Sequence, residues 1–352
     1  MQGSAAFAPA TQLENTGSPM SNHPKFASHA VIRLAACAAL AAAAALPAHA
    51  AASWQIADVQ QFYVNDPATS GIYRSQGIAT DGNQWFFSWQ YGLERAGNDF
   101  TSIQRNSTFT PPSGLNPGIP SSLLSQGLNH IGDIDYYNGM VYASLDSTAG
   151  YKNPHIALFN ASDLSYTGIS YSITGAPSNP KNDVASWFAI DAARGVGYGK
   201  EYQNGNTINV YNLSDWSFER SITLDTATHD IQGAKVDGDW LYMSSDNSTQ
   251  SVYRANLVTG QVEEIFQLPS PAGDREVEGI ALRDNGKGGK DLYVELIVDP
   301  DRTGQNPTNS NLHVDLYHYT LTSAVPEPES WALMLAGLAA VGGVASRRRR
   351  QG

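Results

Sequence analysis

One repeated spacing governs what this chain of 352 residues can fold into. An apolar residue is followed eight positions later by an aromatic one: Ile78 by Phe86, Ile134 by Tyr142, Ile190 by Tyr198, Ala234 by Tyr242. A fifth pair, Ile280 and Tyr293, is stretched by the insertion NGKGGK. The anchors lie 56, 56, 44 and 46 residues apart. Repeats on the order of 40–50 residues build stacked or radial arrays, because one such unit cannot bury its apolar face alone.

The unit reads as four antiparallel strands. Asp81-Gly82, Asn138-Gly139, Asp237-Gly238 and Asn285-Gly286 fall between the members of four pairs, and such dipeptides supply the positive φ angles of a type I′ hairpin. The third unit has Arg194-Gly195, a weaker match. A third strand then ends at a polar turn (FNASDL, YNLSDW, RANLVTG), and a fourth follows in ERSITL and EEIFQL. In DWLYMSS, Trp240 and Tyr242 face one way and Leu241 and Met243 the other. A strand apolar on both faces needs cover on both, which blades around an axis provide.

The expectation is therefore an all-β chain, a β-propeller of five four-stranded blades. A β-sandwich and a six-bladed propeller with one degenerate blade are the competing arrangements. The fifth unit supplies only three strands, EVEGIAL, DLYVELIV and VDLYHYTL. Residues 60–65 (QQFYVN) are expected to add its fourth strand and close the ring, removing two free edges.

The two ends differ from this middle. From Met20, a positive start (Lys25, Arg33), the apolar run LAACAALAAAAAL and Ala48-His49-Ala50 read as a secretory signal peptide cut after Ala50. The single cysteine, Cys37, lies inside it, so no intramolecular disulfide is possible. The expected partition is residues 1–50 as signal and extension, 51–324 as propeller, and 325–352 as a separate tail. Between 51 and 324 stand fifteen basic and thirty acidic residues, a net charge near −15. Such a surface repels phosphate backbones, so nucleic acid is excluded as a partner.

The tail places Val325, Pro326, Glu327 and Pro328 before an apolar run at residues 331–345, then Arg347, Arg348, Arg349 and Arg350. An apolar helix with a basic stop reads as a membrane anchor. This order of parts resembles the PEP-CTERM sorting signal of Gram-negative bacteria that make exopolysaccharide. The resemblance implies recognition by a membrane-embedded exosortase and the secretion machinery, with transient inner-membrane insertion. It further implies processing near the Pro-Glu-Pro motif and delivery to the cell surface or extracellular matrix, where exopolysaccharide or surface proteins would be partners.

Chemistry is expected on one face of the propeller. The loops before first strands (107–127, 174–185) and after second strands (147–154, 299–311) are long and share a face, and binding usually resides in such loops. First strands open with His130 and Asp133, with His229, Asp230 and Gln232, and with Glu276 and Glu278; these are the candidate ligand-binding residues. Second strands end at Asp146, Glu201, Asp246 and Glu295. Asp133, Asp146, Asp246, Glu278 and Glu295 form a candidate metal set suited to Ca²⁺ or another divalent cation. Solvated strand ends would look the same. Trp85, Trp89, Tyr91 and Trp187 offer flat rings for sugar stacking, although blade packing is the commoner use. No EF-hand loop, His-Glu-x-x-His, Gly-x-Ser-x-Gly or nucleotide-binding glycine loop occurs. Two functions fit: a surface binding scaffold for glycan, cation or protein, and an extracellular metal-dependent hydrolase or lactonase with an axial site.

Overall fold

Asn138 and Gly139 both adopt positive φ, 49° and 79°, the angles of the type I′ turn their dipeptide favours. The other hairpins are made differently. Thr80 pairs with Trp85 across a four-residue loop in which Asp81 accepts the backbone N–H groups of Asn83 and Gln84. The computed structural model describes residues 53–66, 70–110, 114–150, 152–173, 186–203, 205–302 and 311–322. The signal segment, the tail and much of the loops 174–185 and 299–311 lie outside these residues.

Five four-stranded antiparallel sheets form the propeller. Blade 1 is β2 (Gly77–Thr80), β3 (Trp85–Trp89), β4 (Gly92–Ala96) and β5 (Ser102–Arg105). Blade 2 is β8 (His130–Tyr137), β9 (Met140–Ser147), β10 (Lys152–Asn160) and β11 (Tyr166–Ser172). Blade 3 is β12 (Ala189–Asp191), β13 (Val196–Gly199), β14 (Gly205–Asn212) and β15 (Phe218–Thr228). Blade 4 is β16 (Ile231–Asp237), β17 (Trp240–Ser245), β18 (Ser251–Asn256) and β19 (Val262–Gln267). Blade 5 is β20 (Asp274–Asp284), β21 (Lys290–Asp299) and β22 (His313–Thr322), completed by β1 (Ser53–Tyr63). The closing strand is longer than the six residues expected from the sequence and runs from Ser53↔Thr322 to Tyr63↔His313. Between blades 1 and 2, the insertion forms a small hairpin, β6 (Thr108–Thr110) and β7 (Gly114–Asn116), and one helical turn, α1 (Ser121–Leu124).

The core lies between blades rather than within them. Leu93 and Phe86 of blade 1 pack on Ile134 and Val141 of blade 2. Ile156 and Leu158 meet Phe188 and Trp216 across the next seam. Trp187 and Ile208 meet Leu241 and Met243, and Val252 meets Val277 and Leu292. Trp85 and Phe87 meet Tyr293 and Val314 where the ring closes, together with Phe62 of the closing strand. Burying each such side chain contributes about 1.5–3 kcal/mol, so a strand apolar on both faces serves two seams at once. Leu241 and Met243 are both fully buried.

This packing decides the aromatic question. Trp85 and Trp187 are fully buried and Trp89 nearly so. The Trp85 ring sits against Phe100 and Tyr293, and Trp89 Nε1 donates to Ser107 Oγ at 2.7 Å. These three tryptophans are blade packing, not a sugar-stacking surface.

Candidate functional site: the propeller axis

The first strands of the blades meet around the axis, and small residues let them approach. A Cβ on Gly279 would lie 2.6 Å from Gly77 Cα, and one on Gly77 would lie 2.5 Å from Asp133 Cα. Gly77, Gly233 and Gly279 each precede the apolar anchor of their strand. In blade 2 the residue before the anchor is Asp133, so one carboxylate enters where three blades have glycine and blade 3 has Ala189.

That carboxylate is fully engaged. Asp133 Oδ1 accepts Ile78 N–H of blade 1 at 3.3 Å. Oδ2 accepts Ala234 N–H at 3.1 Å and the Lys235 ammonium at 2.7 Å, both of blade 4. Its own N–H donates to Ser186 O at 2.8 Å. Burial pushes the Asp133 carboxyl up to about 7 against the opposing pull of Lys235. The sequence placed Asp133 in both the ligand and metal sets; the structure spends its oxygens on stitching blades 1, 2 and 4 together.

A ring of second-strand side chains extends the stitching. Ser88 Oγ donates to Gly132 O at 2.7 Å, Ser144 Oγ to Ser186 O at 3.2 Å, and Ser244 Oγ to Glu278 O at 2.6 Å. Each hydroxyl reaches the first strand of the next blade or the residue leading into it. Lys200 follows Ser144 by the same 56 residues that separate Ser144 from Ser88. Lys200 is fully buried, donates to the carbonyls of Glu201 and Gln203, and is brought down to about 8 by that burial. In blade 5 the place is taken by Glu295. Its oxygens have no hydrogen-bond partner of good geometry among the described residues, with the Gly279 N–H the nearest favourable dipole. Burial, then the neighbouring Asp133 charge, raises Glu295 well above the usual carboxylate range.

The loop-face end of the axis gathers most of the other expected residues. His130 Nδ1 lies 2.9 Å from Asp146 Oδ1, and Nε2 lies 2.8 Å from Gln76 Oε1. Gln76 Nε2 donates to Glu278 Oε1 at 3.1 Å. This chain links blade 2 to blade 5 through the residue that leads into blade 1. Gln232 Nε2 approaches Glu276 Oε1 at 3.4 Å. Asp246 Oδ1 accepts Val277 N–H at 2.9 Å. Burial lifts Asp246 to about 7, with Glu276 and Asp230 adding to the rise. Glu278 is raised further by burial and by Glu276, Glu295 and Asp246. The Tyr202 hydroxyl faces the same acids and is raised by burial and by Asp230, Asp246, Glu276 and Glu278. His229 stands apart, half exposed and paired with Asp230 at 2.9 Å.

Asp133, Asp146, Asp246 and Glu278 of the metal set are thus engaged with different partners, and Glu295 is buried without a hydrogen-bond partner of good geometry. Among the described residues no group of three or more His, Cys, Asp or Glu side chains is placed to hold a metal ion. Sequence reading missed Gln76, Tyr202 and Lys235. The last carried a signal, a lysine within the small and apolar stretch Gly233–Val236 of an inner strand.

Residues 324–350 match the family model of the PEP-CTERM protein-sorting motif. The chain carries a PEP-CTERM sorting signal. It is therefore an exported protein, sorted to the cell surface by an exosortase. The apolar run of that signal lies outside the described residues, among which no helix is long and apolar enough to cross a membrane. No curated protein matches the chain. Among solved structures, the tail fiber of Staphylococcus aureus phage P68 is similar at 18% identity and a TM-score of 0.43. The similarity covers 80% of this chain and 56% of the tail-fiber chain, so this chain spans little more than half its length.

Proposed function

We propose that the propeller is a binding scaffold presented at the cell surface, and that its loop-face axial mouth receives a positively charged organic group of a surface partner. The observation that supports this is the imbalance of charge there. Asp230, Asp246, Glu276 and Glu278 crowd around Tyr202, with Arg275 acting on Asp246 and Lys200 on Asp230 as the opposing cations. Carboxyls forced together retain protons they would otherwise lose. An ammonium or guanidinium relieves the crowding and donates hydrogen bonds to several of them. A bare metal ion is less suited, since the carboxylates do not converge on one point. For the same reason the metal-dependent hydrolase is the weaker reading.

The scaffold is delivered by the two ends of the chain: a signal peptide removed after Ala50 and a tail processed near Pro326. The test of the binding reading is calorimetry on the exported protein with spermidine and, at matched ionic strength, CaCl₂. Spermidine is expected to bind, and Asp246→Asn with Glu276→Gln to weaken it at least tenfold. Binding of Ca²⁺ without spermidine would replace the organic cation by a metal; binding of neither would remove the mouth as a site.

A further inference from the structure

The hairpin end of the axis, opposite the long loops, holds a cavity of about 200 Å³ to which every blade contributes. Thr80, Asp135, Ile190, Val236 and Leu282 come from blades 1 to 5 in order, and Lys235 lines it too. Its volume falls below the roughly 300–1,000 Å³ of pockets for drug-sized ligands, so it suits a small molecule or one residue of a chain.

Three charged side chains line this end, and one of them, Lys290, is paired with Asp284 at 2.8 Å, which leaves Lys235 and Asp135. The Lys235 ammonium donates to Asp133 Oδ2 and to Ala234 O at 3.1 Å. An ammonium has three N–H groups, so one remains. Asp135 Oδ1 accepts Tyr136 N–H at 2.8 Å, and Oδ2 accepts Ile190 N–H at 2.9 Å. Each of these oxygens keeps a further lone pair. Lys235 and Asp135 are electrostatic neighbours. A ligand anion would meet Asp133 and Asp135, and a ligand cation would meet Lys235. A hydroxyl does what neither charge can: it accepts from the ammonium and donates to the carboxylate. The rest of the wall is mixed: Ile190, Val236 and Leu282 offer a patch for the carbon face of a ring, and Thr80, Tyr136 and Tyr137 add further polar groups.

We propose that this cavity binds a neutral polyhydroxylated molecule, one hydroxyl accepting from Lys235 and another donating to Asp135, with its carbon skeleton against Ile190 and Val236. The site is separate from the acidic mouth at the other end of the axis, so either can fail without the other.

Calorimetry on the exported protein with glucose and myo-inositol, and with glucosamine and glucuronate as charged counter-probes, tests this. At least one neutral probe is expected to bind saturably and tenfold more tightly than either charged one. Lys235→Met breaks the Asp133 pair and endangers the fold, so the decisive variant is Ala192→Trp. Ala192 is an exposed residue on the cavity rim; the indole should fill the cavity and reduce binding at least tenfold with an unchanged melting temperature. Maltotriose binding as tightly as glucose would assign the cavity to a glycan end, and its exclusion to a free molecule. The proposal is overturned if no neutral probe binds, if charged analogues bind equally, or if Ala192→Trp leaves affinity intact.

Discussion

Asp133 and Lys235 are 102 residues apart, on blades that are not neighbours, yet Oδ2 and Nζ meet at 2.7 Å on the axis. Both side chains are buried. The contact is possible because glycines at the equivalent positions of blades 1, 4 and 5 bring the first strands close enough to span the centre. Removing one member of such a pair leaves a buried charge without its counter-ion, a loss of about 3–5 kcal/mol. Asp133→Asn is expected to lose that much by urea denaturation. Asp133→Asn with Lys235→Met should lose less than the two single changes added together.

Stability should fall as pH rises. Asp133 and Asp246 are raised to about 7, and Glu278 and Glu295 are raised well above the usual carboxylate range, all by burial first. Unfolded carboxyls titrate near pH 4, roughly. Between these values the native chain binds more protons than the unfolded one, so stability is greatest at the acid end of the window and declines upward through it. The Asp133 and Asp246 contributions level off above about 7, and Glu278 and Glu295 add to the same decline. Denaturation midpoints at pH 5 and pH 8 check the sign. Glu295→Gln should flatten the decline; a midpoint higher at pH 8 in the native sequence would contradict it.

Cation binding at the loop-face mouth should release protons. A positive group stabilises the ionised forms of Asp246 and Glu278, so affinity for spermidine should rise between pH 6 and pH 8. Calorimetry in two buffers of different ionisation enthalpy reads the protons directly. Uptake rather than release would contradict the charge argument.

The closing strand should be worth more than its best side chain. Phe62 is buried against Phe87 and Phe100, with the Arg74 guanidinium 4.3 Å from its ring centre. Phe62→Ala is expected to lose about 3–5 kcal/mol. Deleting residues 53–63 removes that contact and also bares the edge of β22, so the deletion should unfold at lower temperature and aggregate. Equal melting of the two variants would show that Phe62 alone carries the closure.

Processing of the tail is open to mass spectrometry. The mature surface protein is expected to begin at Ala51 and to lack Arg347–Arg350. Alanine at Pro326, Glu327 and Pro328 should leave the arginines on a form held in the membrane fraction.

The blades were legible because their information is local. An aromatic at fixed distance from an apolar anchor, a turn dipeptide between them and alternation on both faces all lie within twenty residues. The missing fourth strand of unit five was legible by elimination, although its true extent, Ser53–Tyr63, depends on a register with β22 that no local pattern encodes. Asp133 was misread for a related reason. A register shift between Ile131 and Ile134 sets where its side chain points, and its side-chain partners lie in blades 1 and 4. His130, Gln232, Glu276 and Glu278 were placed at one mouth because the starts of first strands must share a face. Gln76 escaped because it precedes a strand rather than opening one.

The register Ser53↔Thr322 sets an order on the life of the chain. The strand that closes the ring is the first of the described strands to leave the ribosome, yet its partner, β22, is the last. Closure therefore waits for nearly the whole domain, and until then β1 travels as an unpaired strand. Because β22 ends at Thr322 and the sorting signal begins at residue 324, the ring can be sealed only as that signal arrives. Completion of the fold and presentation to the exosortase are thus nearly one event, and a chain cut short before β22 has no route to a finished propeller.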